Sequence, residues 1–97
     1  DGYPRSLSYV GQVEINGQRA KNIGLICMDQ MMVDVTGLPV KVGDVAELYS
    51  DTIDEIKVDN IADMLGTIGY ELLCLVSKRV PRVAVRGSQI MEVRNYI

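Results

Sequence analysis

The 97-residue chain predicts one mainly β domain over residues 1–97: a small antiparallel barrel or sandwich with one or two short helices. Three features carry this reading. Apolar residues recur mostly at period two, in short segments separated by turn residues. Asn16-Gly17 and Gly87-Ser88 each separate two such segments at hairpin spacing. Helical period is confined to the region around residues 58–73, so helices do not alternate with strands as in a parallel α/β sheet.

Taken in order, SYVGQVEI puts Val13 and Ile15 on one face and Gln12 and Glu14 on the other. Asn16-Gly17 supplies positive φ for a two-residue turn, and QRAKNIGLI returns antiparallel. Gly24, inside the return strand, marks a bulge or a close backbone approach. MMVDVTG alternates weakly and ends at Gly37, after which Leu38-Pro39 opens a loop. In VKVGDVAELY, Gly43-Asp44 is a turn and Val45, Ala46 and Leu48 a strand, followed by an acidic surface loop from Asp51 to Glu55. VDNIADMLG changes period: Ile61, Met64 and Leu65 share one helical face. Asp59 is the expected N-cap and Gly66 the residue past the C-terminus. Thr67 is expected to cap a second short helix with Ile68, Tyr70, Leu72 and Leu73, and Pro81 ends helix nearby. RVAVRG and QIMEVRNY then alternate as a second hairpin around Gly87-Ser88.

Apolar residues make up 47% of the chain, enough for a core, but there is no Phe and no Trp to fill it. The formal charge of −3 argues against a nucleic-acid face and against an anionic membrane surface. No apolar run approaches the roughly 18 residues of a membrane span, and the start does not read as a signal peptide. The chain begins at Asp1 in the polar turn DGYPR, without an initiator Met, and reads as a piece of something longer. Cys27 and Cys74 match no zinc or redox spacing and are expected to be free, buried thiols of a reducing, cytoplasmic compartment. Histidine is absent. That removes Ser-His and Cys-His nucleophilic sites and most zinc and copper sites, and no metal site is expected.

Four stretches could carry chemistry. In ICMDQMMVDV the right half, from Met31 to Val35, reads as core strand, while Cys27, Met28, Asp29 and Gln30 form a polar interruption. That interruption is either a bend or a strand end whose N–H groups grip a carboxylate, with Asp29 orienting a neighbour. In GTIGYELL, Tyr70 is either a core tyrosine or a phenol presented at a helix start. In SKRVPRVAVR, Lys78, Arg79, Arg82 and Arg86 form a solvated strand edge, an inter-domain contact or an anion site. DGYPR is a turn.

Together and in this order, DGYPR, the Asn-Gly hairpin, CMDQMMVDVTG, VGD, IADMLGTIGYELLC and KRVPRV resemble the C-terminal domain of alanine racemases, over essentially the whole chain. That resemblance implies a small antiparallel, Greek-key-like β barrel for residues 1–97, and a pyridoxal-phosphate (PLP) enzyme whose barrel domain precedes this one. It implies that the PLP lysine and the tyrosine base lie upstream of Asp1, so that this chain holds no catalytic residue and is inactive alone. Met28 matches the residue whose backbone N–H meets the substrate carboxylate, with Asp29 beside it. Tyr70 matches the tyrosine that bonds the PLP phosphate and narrows the pocket. Arg5 and Ile68 match residues of the substrate entryway. The family works as a head-to-tail homodimer, in which this domain meets the barrel of its own and of the partner chain. The substrate implied is alanine, converted to D-alanine for peptidoglycan. A serine or broad-specificity racemase, and a stand-alone dimerisation domain, are the alternatives. Two positions depart: Leu25 stands where Arg or Lys is usual, and Gly69 where Asn is common.

Overall fold

The computed structural model describes residues 1–87 and 89–94. β1 (Gln12–Ile15) and β2 (Gln18–Ile23) form the first hairpin, with Ile15 opposite Gln18. Asn16 and Gly17 alone make the turn, at φ 53° and 76°. Both values are left-handed, the geometry whose twist matches that of the strands and which Asn and Gly adopt at least cost. β3 (Met32–Asp34) pairs with β2, and β4 (Ala46–Glu47) with β1, so the antiparallel sheet runs β3-β2-β1-β4. β5 (Arg82–Arg86) and β6 (Gln89–Arg94) form a separate antiparallel pair with Arg86 opposite Gln89. Ser88 of that expected turn, and Asn95 and Tyr96 of the expected last strand, lie outside the described residues. With α1 (Val58–Leu65) and α2 (Gly69–Leu75), the architecture is mainly antiparallel strands plus two short helices.

Two apolar clusters hold these elements. Val13, Ile15 and Ala20, on one face of the hairpin, are covered by Val33, Val35, Leu38, Val40 and Leu48. Leu7, Ile26, Ile56, Ile61, Ala62 and Leu72 form the second, between the start of the chain and the helices. Met31 packs against both. Each fully buried aliphatic side chain here contributes about 2 kcal/mol by leaving water. Met31, Val33 and Val35 thus do face the core, while Met32 and Asp34 between them are exposed, as strand alternation requires.

Several local details differ from expectation, each for a visible reason. The first strand starts late: Arg5–Leu7 is a 3-10 turn, and Tyr9, at φ 69°, continues the turn before β1. Asn22 fixes that turn. Its buried amide accepts from the Tyr9 N–H at 2.6 Å and donates to the Met32 carbonyl at 2.8 Å. It thereby does the work of strand pairing on both sides of β2. Gly24 ends β2 at φ 81°, and a Cβ there would meet nothing nearer than Met32 Cε at 3.7 Å, so it serves a backbone twist and not a close approach. Lys57, not Asp59, is the N-cap of α1, and Asp59 lies in the first turn, where a carboxylate suits the helix dipole. Met64 is exposed, and Ala62 takes the buried place beside Ile61. Ile68 precedes α2 as its N-cap, while the Thr67 hydroxyl bonds the Glu71 carboxylate at 2.7 Å. The acidic loop contains a 3-10 turn, Asp54–Ile56, that buries Ile56. Both cysteines are free but exposed, contrary to the buried pair expected. Cys27 sits where the strand pattern breaks, and Cys74 lies on α2 two residues past buried Leu72, on the opposite side of the helix.

Candidate functional site

The polar interruption is a tight loop. After buried Ile26, the Cys27 N–H donates to the Gln30 carbonyl at 2.9 Å, which lifts Met28 and Asp29 out of the strand. Among the described residues, the N–H groups of Met28 and Asp29 have no acceptor within the domain. The Met28 side chain is 92% exposed. Its carbonyl points inward and accepts from the Gly2 N–H at 3.2 Å.

That bond brings DGYPR to the loop. Gly2, at φ 94°, lies so close to the end of α2 that a Cβ on it would stand 1.9 Å from the Leu75 carbonyl oxygen. The Ser77 N–H donates to the Asp1 carbonyl at 3.3 Å, and Arg79 Nε pairs with Asp1 Oδ2 at 3.1 Å. The three segments enclose an open cleft of about 550 Å³, lined by Gly2, Arg5, Cys27, Met28, Asp29 and Arg79 among others. Arg5, Met28 and Asp29 are therefore brought together.

Ile68 and Tyr70 line a different cleft, of about 400 Å³, with Asp59 and Gly69. Tyr70 is 79% exposed on the first turn of α2, because Leu72 occupies the buried side. It is not a core tyrosine. A Cβ at Gly69 would stand 2.5 Å from Asp59 Oδ1. The Asp59 carboxylate thus occupies space that any side chain at position 69 would claim. Leu25 is exposed and lines a third, shallow cleft with Asp29 and Met32; no contact accounts for the absence of a basic residue there.

Sequence reasoning missed the support of the first cleft. Arg82 is not a solvated edge residue. Its guanidinium donates to the carbonyls of Val76, Ser77 and Val80, at 3.0, 2.7 and 2.5 Å. Arg-Val-Pro-Arg reads as a charge pattern, and only the fold shows three carbonyls converging on its last residue. The Tyr3 and Tyr49 rings meet under the cleft with centroids 5.7 Å apart, and both hydroxyls are buried without a partner. Burial, and secondarily the neighbouring Tyr49, push the Tyr3 phenol up to about 12.

Because the folded phenol resists ionisation until about 12 while the unfolded one ionises near 10, it costs the fold no stability by ionisation below pH 10 and lowers stability as pH rises from 10 towards about 12. Tyr3→Phe, which also removes an unpaired buried hydroxyl, is expected to be neutral or stabilising at pH 8 and to lose less stability between pH 10 and about 12. Urea unfolding across that range checks this; parallel pH profiles for the two proteins would contradict it.

Among the described residues, no three His, Cys, Asp or Glu side chains are placed to hold a metal ion. No helix there is long and apolar enough to cross a membrane.

Residues 1–84 match the family model for the alanine racemase C-terminal domain. The chain is 46% identical, over its whole length, to alanine racemase 1 of Clostridium acetobutylicum, and 49% identical to the alanine racemase of Clostridium novyi. In each case it spans 26% of the relative. Its fold superposes on a solved alanine racemase of Clostridium difficile 630 with a TM-score of 0.85 and 37% identity, covering all of this chain and 26% of that one.

Proposed function

Starting from a chain that belongs to the alanine racemase C-terminal domain family, we propose that it completes the active site of a PLP-dependent alanine racemase, of which it forms about a quarter of the length. The observation that carries this reading is the first cleft. Arg5, Met28 and Asp29 line one space, and the N–H groups of the last two have no acceptor within the domain; together they suit a carboxylate. Met28 and Asp29 are the substrate-binding positions. Met28 acts through its backbone N–H, holding the amino acid so that its α-hydrogen is presented to bases that belong to the barrel domain. Arg5 draws the carboxylate towards the loop. In the second cleft, the exposed Tyr70 hydroxyl is free to donate to a phosphate oxygen, so the residues present fit PLP. Its ring forms a wall and Ile68 a lip of the entryway. PLP, when bound, delocalises the carbanion left by removal of the α-hydrogen. This chain supplies no acid or base to that step.

The parent is read as a homodimer in the cytoplasm, making D-alanine for peptidoglycan. Met28 serves the partner's site. Exposed Met28, Met32, Val42, Val45 and Tyr70 support the presence of covering surfaces from a barrel domain or a second copy. The bulk of Tyr70 favours alanine over serine.

The test is racemisation itself. The full-length protein containing this chain, supplied with PLP, is expected to convert L-alanine to D-alanine faster than it racemises L-serine. The 97-residue chain alone is expected to form none. D-alanine formed by the chain alone, or an inactive full-length protein, would overturn the reading; faster turnover of serine would make it a serine racemase.

A further inference from the structure

We infer that Arg82 is a positioning residue for the Met28 loop, acting through Asp1 and Gly2; this rests on the proposed role of Met28. The connection is continuous. After α2 ends at Leu75, the chain turns through residues 76–80 without regular structure, held by the Val80 N–H to Ser77 carbonyl bond at 3.0 Å and the Arg79 N–H to Ser77 Oγ bond at 3.1 Å. The carbonyls at 76 and 80 would otherwise be unpaired, and that of Ser77 would have only the Val80 N–H. A single half-buried guanidinium satisfies all three. A planar fork with five donors is suited to this; an ammonium, a single point charge, is not.

The segment so ordered holds the other partners of Asp1. The Ser77 N–H grips the Asp1 carbonyl, and Arg79 pairs with an Asp1 carboxylate whose side chain is only 14% exposed. Asp1 sets Gly2 against the Leu75 carbonyl, and the Gly2 N–H in turn holds the Met28 carbonyl. The carbonyl of residue 28 is thus fixed from behind, on a residue that lines the cleft and whose N–H has no acceptor within the domain. Arg82 itself does not line that cleft. Its influence runs through the backbone, in series with the Asp1–Arg79 pair.

A series arrangement has a kinetic signature. In the full-length enzyme, Arg82→Gln is expected to raise KM for alanine roughly tenfold while kcat changes less than about threefold, since the weakened hydrogen bond to the carboxylate is made equally before and during reaction. Asp1→Asn is expected to raise KM in the same sense. The double variant should be no worse than the worse single one, because both release the same loop. Should Arg82→Gln not fold, Arg82→Lys is read by the same criterion, with a smaller rise in KM. A folded Arg82 variant with unchanged KM, or effects of Arg82→Gln and Asp1→Asn that multiply, would overturn the inference. Met28→Pro separates the two levels. If it raises KM and the Arg82 variants do not, this inference alone fails; if it leaves KM unchanged, the reading of the site fails with it.

Discussion

Gly2→Ala is expected to unseat the DGYPR segment and to destabilise the protein by about 3 kcal/mol or more. Two costs combine. At φ 94° an L-residue is strained whatever the space around it. There is also no space: the new methyl would fall 1.9 Å from the Leu75 carbonyl oxygen and 2.6 Å from its carbon, both backbone atoms that cannot swing aside. Relief requires Gly2 to move away from α2. That movement breaks its N–H bond to Met28 and disturbs the seat of Asp1 against Ser77 and Arg79. Urea unfolding of wild-type and variant measures the loss, and a change within about 0.5 kcal/mol, the range of an ordinary surface substitution, would contradict it. Gly17→Ala is a useful contrast, since a Cβ at Gly17 meets nothing within 4 Å and only the strain of φ 76° applies.

The second large effect is on activity. Met28→Pro is expected to lower kcat/KM roughly 10- to 100-fold, the worth of one hydrogen bond to a charged group. Met28→Ala is expected to lower it less than about threefold, because the side chain lies outside the packed core. Within the domain the proline removes no existing bond, since the Met28 N–H donates to no group there, so the melting temperature should hold in both variants. Equal losses of activity from the two substitutions would shift the role of Met28 from its backbone to its side chain.

These two positions also mark where the sequence was legible and where it was not. The Asn16-Gly17 hairpin and the burial of Val13 and Ile15 were readable because turn chemistry and strand alternation are local. The break at Cys27 is visible as a polar interruption, and the resemblance singles out Arg5, Met28 and Asp29, which the fold joins in one cleft. Gly2 read only as part of a turn, since the carbonyl it abuts belongs to residue 75. Asn22 is hidden for the same reason, since its partners come from two other segments, and the alternation of β2 does not announce that task. The acceptors of Arg82 are close in sequence, but they converge only once the turn after α2 has formed. The cysteines were misplaced because burial was inferred from residue type, while one sits in an extruded loop and the other on the outer side of α2. Asp59 likewise gained its meaning only from the space that Gly69 leaves open.

On the proposed reading, the Met28 loop of one chain works in the active site of another, and subunit complementation reveals whether it does. Two full-length variants are mixed through unfolding and refolding, or co-expressed: one carries Met28→Pro, the other lacks the PLP lysine of its barrel domain. Each alone should have little or no activity. In the mixed dimer, the intact lysine of the first chain meets the intact Met28 loop of the second, so random pairing should restore roughly a quarter of wild-type activity. Activity of the mixture no greater than that of its parents would mean that Met28 serves its own chain or no site at all.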